Sequence, residues 1–152
     1  MAKDLYALAT GVARRHKDAF HFTPAPQFHA AVSDLDRRIP TLKGYQIMVG
    51  MMRILAMVGD GHTRCDDLFN NFSQFPLDLY WFDGELRVIR ASAEYKHAVG
   101  GRVFAIERMP VGDADRQVRS IIEQHETEGW VKRLSAFYLA CPEILTSLAA
   151  RA

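Results

Sequence analysis

The chain has 152 residues, a formal net charge of +1, and 49% hydrophobic against 24% charged residues. That balance is globular and excludes a disordered, fibrous or collagen-like chain. The near-zero charge and scattered basic residues lack the basic stripe of a nucleic-acid binder, and no run reaches the roughly 20 apolar residues of a membrane helix, so neither a nucleic-acid partner nor a membrane span is expected.

Leu5, Leu8 and Val12 recur at helical spacing and predict a first amphipathic helix ending near Phe20. Gly11 weakens it by about 1 kcal/mol relative to alanine. His16 and His21 fall near its end, where a histidine meets exposed carbonyls and the negative end of the helix dipole. No apolar leader opens the chain, so no signal peptide is visible; the cytoplasm is the default compartment, and the periplasm or secretion stays open if a signal was removed. Cys65 and Cys141 have no paired-motif spacing and read as two free thiols.

Thr23-Pro24-Ala25-Pro26 is a stop and restart, with Thr23 as candidate cap and proline in the first turn. Phe28, Ala31, Val32, Leu35 and Ile39 make a second stripe that Pro40 ends, with His29 beside it as surface or partly buried packing. Thr41 is the candidate cap of a third helix, whose inner face is Ile47, Met51, Ile54, Leu55 and Val58, widened by Met48 and Met52. This most apolar segment is expected at the buried centre of a small three-helix bundle, its methionines in the core.

The third helix runs into Gly59-Asp60-Gly61-His62-Thr63-Arg64. Glycines on both sides of Asp60 allow a positive-φ turn that presents His62 to a cleft. A histidine there has the chemistry of a general base, and Asp60 or Thr63 can orient its ring. The competing expectation is a helix-ending turn with a structural histidine. Asp60, His62, Cys65 and Asp66 are all metal-ligand types, but their spacing matches no compact zinc signature, so neither a metal nor another cofactor is expected.

Beyond the connector around Asn70-Asn71, Phe75, Leu77, Leu79 and Trp81 alternate with Asp78 and Tyr80 as in a half-buried strand. Asp83-Gly84 is a hairpin turn and Leu86-Arg87-Val88-Ile89-Arg90 the return strand. Tyr80, Trp81 and Phe82 pack on a helix or, alternatively, line a small-molecule groove. Ala93 to Ala98 reads as a short helix, Gly100-Gly101 as a tight turn, and residues 102–107 as another strand. Ala114, Val118, Ile121 and Ile122 trace a helix over the sheet. Glu126 and Glu128 favour a helix start, Trp130, Leu134 and Phe137 form its stripe, and Pro142-Glu143 opens a last helix ending at Leu148-Ala149-Ala150.

An apolar helix, then Gly-Asp-Gly-His-Thr, then a strand-rich segment resembles the N-terminal region of the C-terminal-processing (tail-specific) serine peptidases and their tricorn-core relatives. Phe75-Pro76-Leu77, Tyr80-Trp81-Phe82 and Leu86-Arg87-Val88 are similar to that family's first hairpin. Residues 99–106 and Met109-Pro110-Val111 are similar to its PDZ-like core. The resemblance implies an α+β fold: residues 1–66 a helical lobe, and 67–152 a PDZ-like lobe with closing helices. It implies that His62 is either a general base or structural, as the motif is in the family's serine–lysine members. It also implies that Gly100, Gly101 and Arg102 contact a peptide or protein C-terminus. The partner it implies is a downstream or separate α/β domain bearing the serine. None of the six serines here sits on a glycine-flanked nucleophile elbow and no oxyanion loop is evident, so the chain alone is expected to be inactive. Three function classes stand: the non-catalytic N-terminal portion of such a peptidase, a stand-alone peptide-binding or interaction module, and a small-molecule binding protein that uses the aromatic sheet face.

Overall fold

A computed structural model describes residues 1–64, 72–123 and 127–149. The protein is mixed α+β. Three helices come first: α1 (Ala2–Arg15), α2 (Ala25–Arg38) and α3 (Gly44–Ala56). A hairpin of β1 (Leu77–Phe82) and β2 (Glu85–Ala91) follows, then the short pair β3 (Ala105–Ile106) and β4 (Met109–Pro110), and the helices α4 (Val111–Arg119), α5 (Glu128–Tyr138) and α6 (Pro142–Ala149). The 66/67 boundary expected between two lobes lies outside the described residues.

The organising element is α3, because it is buried on two sides. Ile47, Met51, Ile54, Leu55 and Val58 join Leu5, Ala9, Phe28, Val32 and Leu35 from α1 and α2 in one apolar cluster. Val49 and Met52 point the other way, into a cluster with Leu86, Val118, Ile122, Tyr138, Leu139 and Ile144. A helix apolar over most of its surface is stable only when covered on both flanks. Met51 and Met52 are therefore core residues, as the spacing predicts. Gly50 lets α2 close in: a Cβ there would lie 2.6 Å from a Leu35 methyl.

The helix ends differ from expectation. α1 stops at Arg15, not near Phe20, because His16 turns extended (ψ 134°). Pro24, not Thr23, is the N-cap of α2; the Thr23 side chain is buried. Thr41 does not cap α3: its hydroxyl donates back to the Arg38 carbonyl at 2.9 Å. Lys43 takes the cap position, and its N–H donates to Gln46 Oε1 at 2.9 Å.

In the hairpin, Asp83 (φ 47°) and Gly84 (φ 83°) both adopt positive φ, the two-residue turn that matches strand twist. Leu79 pairs with Val88 and Asp78 with Arg90, which leaves Ile89 as the extra residue of a bulge. The aromatic trio divides by strand alternation. Trp81 faces inward, its indole N–H donating to Ser135 Oγ at 2.9 Å. Tyr80 and Phe82 face outward, with ring centroids 4.9 Å apart.

The strand expected over 102–107 is split. Val88 N–H donates to Gly101 O at 3.0 Å and Val103 N–H to Leu86 O at 2.8 Å, so residues 101–103 line the far side of β2. At Phe104 the chain changes partner, its carbonyl accepting Val111 N–H at 2.9 Å, and Ala105–Ile106 then pairs with Met109–Pro110. The turn before this, Ala93–Ala98, is a 3-10 helix. The buried stripe of α5 is also displaced, to Val131, Ser135 and Tyr138. Ser135 tolerates burial because Trp81 donates to it and it donates to Lys132 O. Glu128 opens α5, with Thr127 as N-cap accepting Trp130 N–H at 3.3 Å; Glu126 lies outside the described residues.

Because α3 serves both clusters, Ile54→Ala and Met52→Ala, one on each side, should each cost about 2–5 kcal/mol. Both should shift one shared transition. Trp81 packs against the second cluster and Trp130 is carried on α5 beside its member Val131, so tryptophan fluorescence in urea is the check: an Ile54→Ala change that left that transition in place would show two independently folding lobes.

Candidate functional site

Two regions carry the chemistry-bearing residues: the loop after α3 and the sheet edge at residues 100–104.

The loop begins at Gly59, whose positive φ (74°) ends α3. Asp60 then becomes a hub. Its Oδ1 accepts the His62 backbone N–H at 3.0 Å, the side-chain-to-backbone bond of an Asx turn. Its Oδ2 accepts the Thr63 hydroxyl at 2.8 Å and faces His16 Nε2 at 3.0 Å. The Thr63 N–H donates to the Asp60 carbonyl, also at 3.0 Å. These donors, the His62 N–H first and then the Thr63 hydroxyl, hold the Asp60 carboxyl well below the usual carboxylate range, with His16 adding to them.

The histidine that Asp60 holds is thus His16, 44 positions away in sequence. His16 Nδ1 accepts the Asp18 N–H at 3.1 Å, which places the ring proton facing Asp60 on Nε2. Both ring nitrogens are engaged, so this aspartate–histidine pair has no lone pair free to take a proton from a nucleophile. It fastens the end of α1 to the end of α3. His21 lies beyond the end of α1, its Nδ1 2.7 Å from the carbonyl of Asp18 in the following turn and not from a helix carbonyl.

His62 stands outside this network. Its side chain is 94% exposed, with Nδ1 3.5 Å from Asp60 Oδ1. Asp60 orients the backbone of His62 more closely than its ring. Cys65 and Asp66, the other two members of the sequence's candidate metal set, lie outside the described residues. Among the described residues no three His, Cys, Asp or Glu side chains converge on a common point. The hydroxyls of Ser120, Ser135 and Ser147 donate to backbone carbonyls of their own helices or helix ends, and among the described residues no serine bonds a histidine. Cys141 is fully buried, and burial pushes its thiol up to about 11.

Gly100, Gly101 and Arg102, the residues the resemblance assigns to peptide contact, come together along an edge beside β2. Gly100 adopts φ 85° and its N–H donates to Val88 O at 2.8 Å, while the Gly101 N–H donates to Ala98 O at 2.9 Å. Both amides are therefore spent inside the chain. Gly101 needs to be glycine for space: a Cβ there would lie 2.8 Å from the Ala98 carbonyl oxygen. Since residues 101 and 103 bond toward β2, the N–H and C=O of Arg102 point away from it, and they pair with nothing among the described residues. Its side chain donates to Glu85 Oε1 at 2.7 Å and its guanidinium lies 4.7 Å from the Phe104 ring centroid. Glu85 also accepts Arg87 at 2.6 Å, so one carboxylate serves two arginines on the outer sheet face.

A third constellation gave no signal in sequence. Buried Glu123 accepts the Trp130 indole N–H, and the Arg64 guanidinium lies 5.0 Å from the Trp130 ring centroid. It ties the loop after α3 to α5. No helix among the described residues is long and apolar enough to cross a membrane. Comparison with protein-family models, with curated proteins and with solved structures gives no match.

The Asp60 hub sets a pH dependence. A depressed carboxyl contributes stability that is present above the unfolded value of about 3.9 and is lost as pH falls through the lower folded value. At neutral pH, Asp60→Ala should cost about 1–3 kcal/mol, the range for hydrogen bonds to a charged group. Asp60→Asn keeps an acceptor for the His62 N–H and should cost less. In urea titrations the gap between parent and Asp60→Asn should shrink as pH falls below about 4; a gap constant down to strongly acid pH would remove the charge from the account.

Proposed function

We propose that this chain is a non-catalytic peptide-recognition lobe, organised like the N-terminal portion of a tail-specific serine peptidase, and that an extended peptide adds as a strand along the edge at Arg102. The observation that carries this reading is the outward-facing N–H and C=O of Arg102, unpaired among the described residues, at the margin of the hairpin. Main-chain bonds to such an edge supply affinity, and neighbouring side chains supply specificity. Phe104, 69% exposed, stands beside the edge to receive an apolar side chain. To meet a terminal carboxylate, the Arg102 guanidinium exchanges its ion pair with Glu85 for one with the peptide.

The hairpin, the glycine turn and α4 over the second cluster support a PDZ-like comparison for this half, and α1, α2 and α3 around one cluster support a helical-bundle comparison for the first. In this reading the serine nucleophile comes from a downstream or separate α/β domain. In the same reading His62, whose backbone is held on an Asx turn and whose ring is in solvent, meets such a domain as a base. A second reading, a stand-alone interaction module with no peptidase partner, is favoured by the outward pair Tyr80 and Phe82 beside Arg87 and Arg102, the residue types that dominate protein interfaces.

The test is a titration of the isotope-labelled protein with a short peptide ending in an apolar residue, as the free acid and as the C-terminal amide. The Arg102 and Phe104 amides should shift and become protected from exchange. The amide form should bind about 3- to 10-fold more weakly if Arg102 meets the carboxylate. Unmoved Arg102 and Phe104 amides at saturating peptide would contradict the edge. Adding a serine-bearing α/β domain then separates the two readings: cleavage lost on His62→Ala assigns the histidine as a base, and no cleavage with any such domain favours the stand-alone module.

A further inference from the structure

An apolar groove lined by none of the residues of the His62 loop or the outer sheet face lies elsewhere on the chain. It opens between the β3–β4 turn, α4 and α6, and encloses about 400 Å³, within the range of small-molecule sites. Phe75, Ile106, Met109, Ala114, Leu145 and Ala149 supply its apolar wall. The polar residues of the lining are Gln117, Thr146, Glu107 and Arg108. The Thr146 hydroxyl is already spent on the Pro142 carbonyl at 2.9 Å. Glu107 and Arg108, side by side at the two-residue turn between β3 and β4, stand on the lining of the same groove.

Those two residues are unusual in two ways. Glu107 holds φ 54°, a left-handed conformation that costs a non-glycine residue energy and that hairpin turns ordinarily fill with glycine, asparagine or aspartate. Neither side chain has a hydrogen-bond or ion-pair partner among the described residues, although surface acid–base neighbours elsewhere in this chain, Glu85 with Arg87 for example, do pair. One anion and one cation, unpaired among the described residues, thus stand at the edge of an apolar groove.

We propose that this groove binds a small zwitterion with a bulky apolar substituent, of the α-amino-acid type. Arg108 takes the carboxylate, Glu107 takes the ammonium, and the apolar group fills the space between Met109, Leu145 and Ile106. A simple apolar anion is disfavoured because Glu107 repels it, and a simple apolar cation because Arg108 does. The site is separate from the Arg102 edge, so it stands or falls independently of peptide binding there.

The experiment is calorimetric or NMR titration of the whole chain with L-phenylalanine, phenethylamine and 3-phenylpropionate, which share one ring and differ in charge. L-phenylalanine should bind at least about 10-fold more tightly than either singly charged analogue, a factor worth about 1.4 kcal/mol. Arg108→Ala should erase the preference over phenethylamine, and Glu107→Gln the preference over 3-phenylpropionate. Ala149→Phe, which fills the groove from an exposed position on α6, should abolish binding of all three while leaving the unfolding transition in place. Equal affinities for the three compounds, no binding of L-phenylalanine, or binding that survives Ala149→Phe would each overturn the assignment.

Discussion

The structure depends on burying α3 from two directions at once. One face of this helix completes the cluster with α1 and α2, and the other completes the cluster with the hairpin and the three later helices. Burying apolar area is the main favourable term in folding, and neither cluster is complete without α3. That constraint fixes where everything else can act. The loop leaving α3 must turn at once, and the sheet lobe must present its inner face to Val49 and Met52. Function is left to what α3 does not use: the loop exterior, the outer sheet face and the groove under the β3–β4 turn.

The loop shows how a pattern of chemically able residues can be used up by architecture. Asp60 has the neighbours of an active-site orienter, with a histidine and a hydroxyl within hydrogen-bond reach. Yet it accepts a backbone N–H and a hydroxyl within its own turn, and the histidine it holds has its second nitrogen occupied by Asp18 N–H. A base needs a free lone pair aimed at a proton. Only His62 keeps that freedom, and it faces solvent, so chemistry at this loop needs a group that the described residues do not supply. The edge at Arg102 differs: its backbone groups are unspent among the described residues, and beside it stand the Phe104 ring and two arginines that share the Glu85 carboxylate.

Much of the fold was legible from periodicity and turn chemistry. The stripe from Ile47 to Val58 located the central helix, and Asp83-Gly84 located the hairpin, because positive φ at both turn positions leaves little choice of residue. Element ends were less legible. Thr23 and Thr41 have the right chemistry for caps, but one is buried and the other bonds backwards to Arg38. The stripe of α5 was misplaced because Ser135 reads as a surface residue until Trp81, from a distant strand, donates to it. The same distance hid the site's real connections. His16 and Asp60, or Glu123, Trp130 and Arg64, share no local pattern, and only the packing of α3 and α5 brings them together. Gly100 and Gly101 were legible as a turn, whereas the engagement of their amides depends on how β2 passes them.

The central claim is that α3 is one structural element shared by two cores. Native-state amide hydrogen exchange across the chain tests it most directly. The account predicts that the amides of residues 48–56 exchange only through global unfolding, with an opening free energy and urea dependence equal to the whole-protein values and shared by Leu86 and Val88 in β2. Exchange of the α3 amides through a cheaper local opening, with β2 and α6 still protected, would show that the second cluster stands without this helix and would contradict the account.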